Sequence, residues 1–138
     1  MPTEERMIRK LVCVCLVSAS LAIAAVTSSD VANHKSRMDA ADDLKADLKD
    51  ALDANFGPKA IQSADELTKL LEQEEQYWIK TQLDDAVKLA RANTAASQQI
   101  ATDAKAEHIN DAKQAYKQLE KTCAECHDLH PERRVKQQ

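Results

Sequence analysis

Glycine occurs once in the 138 residues, and proline three times. Tight turns are correspondingly few, and long uninterrupted segments are expected between them. Aromatic residues make up 3% of the chain, so any core must be assembled from small aliphatic side chains and will be thin. A surplus of positive charge is also missing. The formal net charge is −4, which gives no electrostatic reason to bind nucleic acid or anionic lipid. What dominates instead is Ala, Leu, Lys, Glu and Gln, the strong helix formers, in a chain long enough for one domain at most. The expected fold class is all-α, with no strands.

The first residues read differently from the rest. Basic Arg6, Arg9 and Lys10 precede an apolar run from Leu11 to Val26, followed by polar Thr27, Ser28, Ser29 and Asp30. This is the order of a secretory signal peptide, with Ala22-Ile23-Ala24 as the cleavage pattern and a second candidate ending at Ser28. As a helix the run would reach only about 24 Å, short of the ~30 Å hydrocarbon core, so a cleaved signal over 1–24 is favoured over a retained anchor. Export to the periplasm follows, without stable membrane insertion after cleavage. Cys13 and Cys15 leave with the signal, as do three basic and two acidic side chains, which takes the net charge from −4 to −5.

Residues 25–32 are expected to be a disordered N-terminus, 33–130 an antiparallel four-helix bundle, and 131–138 a C-terminal tail. From Asn33 to Asn55 apolar residues recur at Met38, Ala41, Leu44, Leu48 and Leu52, steps of three or four that draw one helical stripe. Asn55-Phe56-Gly57-Pro58 ends it. Ser63-Ala64-Asp65-Glu66 reads as a capping box opening a second helix. Further breaks are expected near 76–81 and 102–106, with a third stripe between them that runs through Ile79, Leu83, Val87, Ala90, Thr94, Ser97 and Ile100. The fourth stripe is the most regular: Ile109, Ala112, Tyr116, Leu119, Cys123 and Cys126. Such periodicity also suits one or two long coiled-coil helices, the competing architecture.

Cys123 and Cys126 are the only cysteines left after the signal, and His127 follows them directly, as CAECH. Three chemistries use such a pair. In haem attachment both thiols add across the porphyrin vinyl groups, and the adjacent histidine becomes the axial ligand to iron. A thioredoxin-like dithiol needs its pair at a helix N-terminus in a βαβ setting. Zinc wants four ligands, and would have to recruit His127 or His130 and one more. A local disulfide is the bland alternative, and a loop this short constrains little. Covalent haem c, one per chain, is the reading the spacing favours, with Cys123 and Cys126 as attachment points and His127 as proximal ligand.

Trp78, the stripe Leu83, Val87 and Ala90, then His108 to Ala112, Leu119 and Lys121-Thr122-Cys123-Ala124-Glu125-Cys126-His127-Asp128 together resemble the class II cytochromes c. That family comprises cytochrome c′ and its low-spin relatives. The resemblance implies a four-helix bundle with the haem motif near the C-terminus, and places Trp78 at the opening of the third helix. It further implies a distal position on the first helix, occupied by Met38 in a six-coordinate protein or by Ala41 in an open one. His34, one turn from Met38 on the same face, is a third candidate. Arg133 or Arg134 would meet a haem propionate, Tyr116 would touch the haem, and homodimers would form through the first two helices.

The function so implied is single-electron transfer to redox partner proteins by a periplasmic c-type cytochrome. Binding of NO or CO is the alternative if iron is five-coordinate. An exported helical interaction protein with a local disulfide is the non-haem alternative. Nothing in the chain groups an acid, a base and a nucleophile, so no enzyme is expected.

Overall fold

The computed structural model describes residues 25–131, and every regular element among them is helical. Four helices follow one another: α1 (Ser28–Asp53), α2 (Gly57–Thr81), α3 (Asp84–Lys105) and α4 (Ile109–Leu129). The expected signal peptide, and Arg133 and Arg134, lie outside the described residues.

Connections of two or three residues force successive helices to run antiparallel. Each connection contains one residue in the left-handed region, and none is glycine: Asn55 (φ 52), Gln82 (φ 58) and Glu107 (φ 63). Two of the three complete a Schellman motif. The Asn55 N–H donates to the Leu52 carbonyl and that of Phe56 to Ala51, at 3.0 and 2.8 Å. Glu107 donates to Ala104 and His108 to Asp103 in the same pattern, at 3.1 and 2.8 Å.

Three expected boundaries move. α1 starts at Ser28, so residues 28–32 are helical. Thr27 caps the helix reciprocally with Asp30, whose carboxylate also takes Lys80 of α2 at 2.8 Å. α2 starts at Gly57, six residues before the expected capping box. Pro58 in its first turn needs no N–H and has its φ pre-set for a helix, whereas Ser63 is fully buried in the helix interior. Trp78 closes α2 and does not open α3, because the chain reverses only at Gln82.

Packing is closest between α2 and α3, close for α3 with α4 and for α1 with α2, and thin between α1 and α4. Alanines at the α2–α3 seam allow the close approach. There Ser97 Oγ accepts from Thr68 at 2.9 Å and donates to the Ala64 carbonyl at 3.0 Å. The polar second half of the third stripe is thus an interhelical hydrogen-bond site.

The core has two parts. One joins Leu48 and Leu52 of α1, Leu67 and Leu71 of α2, Ile100 of α3, and Tyr116 and Leu119 of α4. The other gathers Tyr77, Trp78, Ala86, Leu89, Ala90 and Cys126 at the end where α1 and α3 begin and α2 and α4 finish.

Candidate functional site

Between the two parts of the core lies a narrow cleft of about 50 Å³. α1, together with α4 and His130 just beyond it, supplies most of its lining. From the first core part come Leu67, Leu71 and Leu119, and from the second Trp78, Ala90 and Cys126, so neither cluster closes over the space on its own.

The α4 wall carries the motif. Cys123, Cys126 and His127 all line the cleft in the last two turns of α4, as the stripe through Leu119 requires. Cys123 is half-buried and Cys126 buried, both as thiols. Burial pushes both thiols above their ordinary range, against the pull of the Lys45 ammonium in the case of Cys123; Cys126 is pushed up to about 11. That is the opposite of the depressed thiol a thioredoxin-like dithiol uses, and its place near a helix C-terminus is the wrong end of the dipole for one. The turn is anchored just beyond: the His130 N–H donates to the Cys126 carbonyl at 3.0 Å, and His130 Nε2 lies 3.1 Å from Asp85 at the start of α3.

The α1 wall faces it. His34, Met38, Ala41, Asp42 and Lys45 line the cleft at steps of three, four and one, a single face of the helix. Lys45 Nζ is 3.0 Å from Asp42 Oδ1 and brings positive charge to the lining. From α2, Glu74 projects into the same region with a side chain only 2% exposed. Its two oxygens are divided between His34 Nδ1, at 2.5 Å, and Arg37 Nε. Tyr77 stacks on the His34 ring at a centroid distance of 4.3 Å and an angle of 10°, and Trp78 meets its edge at 5.3 Å.

Two buried polar atoms on this lining have no hydrogen-bond partner, His34 Nε2 and Asn93 Oδ1. An unsatisfied buried acceptor costs about 1–3 kcal/mol, so two on one cleft fit a surface built to meet a polar or metal-containing occupant.

The structure therefore brings Cys123, Cys126, His127, Met38 and His34 to one cleft. Tyr116 does not line the cleft; its half-buried hydroxyl donates to the Lys45 carbonyl at 3.1 Å, since a phenol away from solvent needs an acceptor. Burial, then nearby Glu120, raises that phenol above its ordinary range.

Glu74, Lys45 and Asn93 are site residues that sequence reading passed over. Glu74 had a signal: it occupies the stripe Leu67, Leu71, Glu74, Trp78, where an apolar residue is due.

Among the described residues no three His, Cys, Asp or Glu side chains form a metal-binding set. Zinc would need such a set from the protein, whereas a porphyrin brings four nitrogens of its own and asks for one or two axial ligands. The donor chemistry of the cleft fits the latter. No helix among the described residues is long and apolar enough to cross a membrane. No protein-family model, curated protein or solved structure matches this chain.

Proposed function

We propose that the protein is an exported c-type cytochrome of the class II kind, a single-electron carrier holding one covalent haem c in the α1–α4 cleft. The observation that carries the reading is the convergence of Cys123, Cys126 and His127 on a cleft that splits the core and holds unpartnered polar atoms.

Each residue has a role in it. Cys123 and Cys126 would hold the group through two thioether bonds, the sulfur and hydrogen of each thiol going to the two carbons of one vinyl group with no net oxidation or reduction. His127 supplies the proximal nitrogen. Leu67, Leu71, Leu119 and Ala90 exclude water from the macrocycle, and Trp78 closes the end nearest His130. Lys45 offers an ammonium to a propionate, the role the resemblance gives to Arg133 or Arg134. When bound, the haem supplies a one-electron couple, and the chain sets its potential through ligands, burial and nearby charge. Redox partner proteins in the periplasm are the corresponding partners.

The test is expression of the full chain in a host that attaches haem c, followed by denaturation. The expected result is a coloured polypeptide heavier by one haem, with colour and added mass both lost in Cys123→Ser/Cys126→Ser. A colourless chain whose cysteines react with thiol reagents only after reduction would overturn the reading in favour of a local disulfide.

A further inference from the structure

His34 is 4% exposed and lines the cleft. Arg37 Nε donates to Glu74 Oε1, so the Glu74 carboxylate is held as a pure acceptor, and its other oxygen faces His34 Nδ1 at 2.5 Å. Nδ1 must then carry the ring proton in that hydrogen bond, which leaves the Nε2 lone pair in the neutral imidazole. That atom is buried and has no hydrogen-bond partner. Stacking on Tyr77 and the edge contact with Trp78 fix the plane of the ring, so the lone pair has a set direction.

These are the marks of an imidazole prepared to bind a metal. One nitrogen is bound to an anchored carboxylate, which selects the tautomer and fixes the ring orientation. Met38 lines the same wall one turn on, but nothing comparable orients it; its thioether is flexible and its sulfur a weak donor.

We infer that His34 Nε2 is the distal axial ligand of the haem iron opposite His127, with Glu74 and Arg37 as the residues that position it. The inference rests on the haem reading above. It makes the iron six-coordinate through two imidazoles, low-spin in both oxidation states, with no open position for NO or CO. It assigns Met38 to the apolar wall. The buried negative charge of Glu74 behind His34 favours ferric iron over ferrous, since it stabilises the higher charge on the metal.

The test uses the full haem-loaded chain, with haem content read first from the mass of the denatured polypeptide. Near-infrared magnetic circular dichroism of the wild type should show two nitrogen axial ligands, and carbon monoxide should leave the reduced spectrum unchanged. His34→Ala should become high-spin and take up carbon monoxide, and added imidazole should restore the low-spin spectrum. Met38→Leu should leave the spectrum as it was. Glu74→Gln should stay low-spin while its reduction potential shifts upward, a change that loss of packing alone would not give.

A sulfur-ligand signature in the wild type that disappears in Met38→Leu would overturn the inference. So would a wild type that binds carbon monoxide, or a natively helical His34→Ala with an unaltered spectrum. Should His34→Ala fail to fold, the wild-type spectrum decides by itself. A chain carrying no haem sinks the haem reading and this inference together, whereas a haem-loaded chain with any of the adverse spectra sinks only the ligand assignment.

Discussion

The hydroxyl of Tyr116 on α4 donates to the main-chain carbonyl of Lys45 on α1 at 3.1 Å, spanning the seam where these two helices otherwise touch little. The bond sits just beyond the cleft, between Lys45 on its lining and the first part of the core.

Tyr116→Phe should therefore lower stability by about 0.5–1.5 kcal/mol, toward the lower figure because the Lys45 carbonyl keeps its own intrahelical partner. Denaturant unfolding at unchanged slope would measure it. A loss well above that range would mean that the ring is strained without its anchor.

Gln82→Gly and Glu107→Gly should each raise stability by about 0.5–1 kcal/mol. Both positions hold a side chain at φ near 60°, a conformation in which only glycine avoids a steric cost, and that relief outweighs glycine's extra freedom in the unfolded chain. A rise in Tm for both variants is expected; a fall in either would show that the side chain contributes to its turn.

Asp30 sits well below the usual carboxylate range, held first by Lys80, then by the Thr27 backbone and hydroxyl. A depressed carboxylate stabilises the fold above its unfolded pKa, here 3.8, and that contribution is lost as pH falls toward the folded value. Asp30→Asn should thus lower Tm at neutral pH, with the difference from wild type shrinking below about pH 4 and also in high salt. A difference that persists undiminished in acid would point to the hydrogen-bond geometry and not the charge.

The divided core predicts uneven protection against hydrogen exchange. Amides around Leu48, Leu52 and Ile100 should be slow whether or not haem is attached, since these residues belong to the first part of the core and do not line the cleft. Those around Trp78, Ala90 and Cys126 should become slow only in the haem-loaded chain. Equal protection of both regions in Cys123→Ser/Cys126→Ser would mean the second cluster is stable with the cleft unfilled.

Helical stripes made the four helices legible, and the CAECH spacing put the α4 wall of the site on view before any coordinates. Boundaries were harder. Ser63 satisfied a capping pattern but lies in a helix interior, where Pro58 had already set the start. Thr27 and Asp30 formed the real cap of α1 in a stretch that looked merely polar. The turn at Gln82 was hidden because its left-handed residue is not glycine. On the α1 wall the sequence offered Met38, Ala41 and His34 without a local feature to choose among them. What distinguishes His34 from Met38 is a carboxylate forty positions away on another helix, and no local pattern carries that pairing.

On the proposed haem reading, the antiparallel order has a practical side for electrochemistry. The start of α1 and the end of α4 emerge at the cleft end, while the connections at Asn55 and Glu107 sit at the opposite pole. Immobilised on an electrode near either terminus, the protein would present the cleft to the conducting surface. Tethered at Asn55 or Glu107, it would hold the cleft off by much of a helix length, on the order of 20 Å or more, and the measured current should fall accordingly.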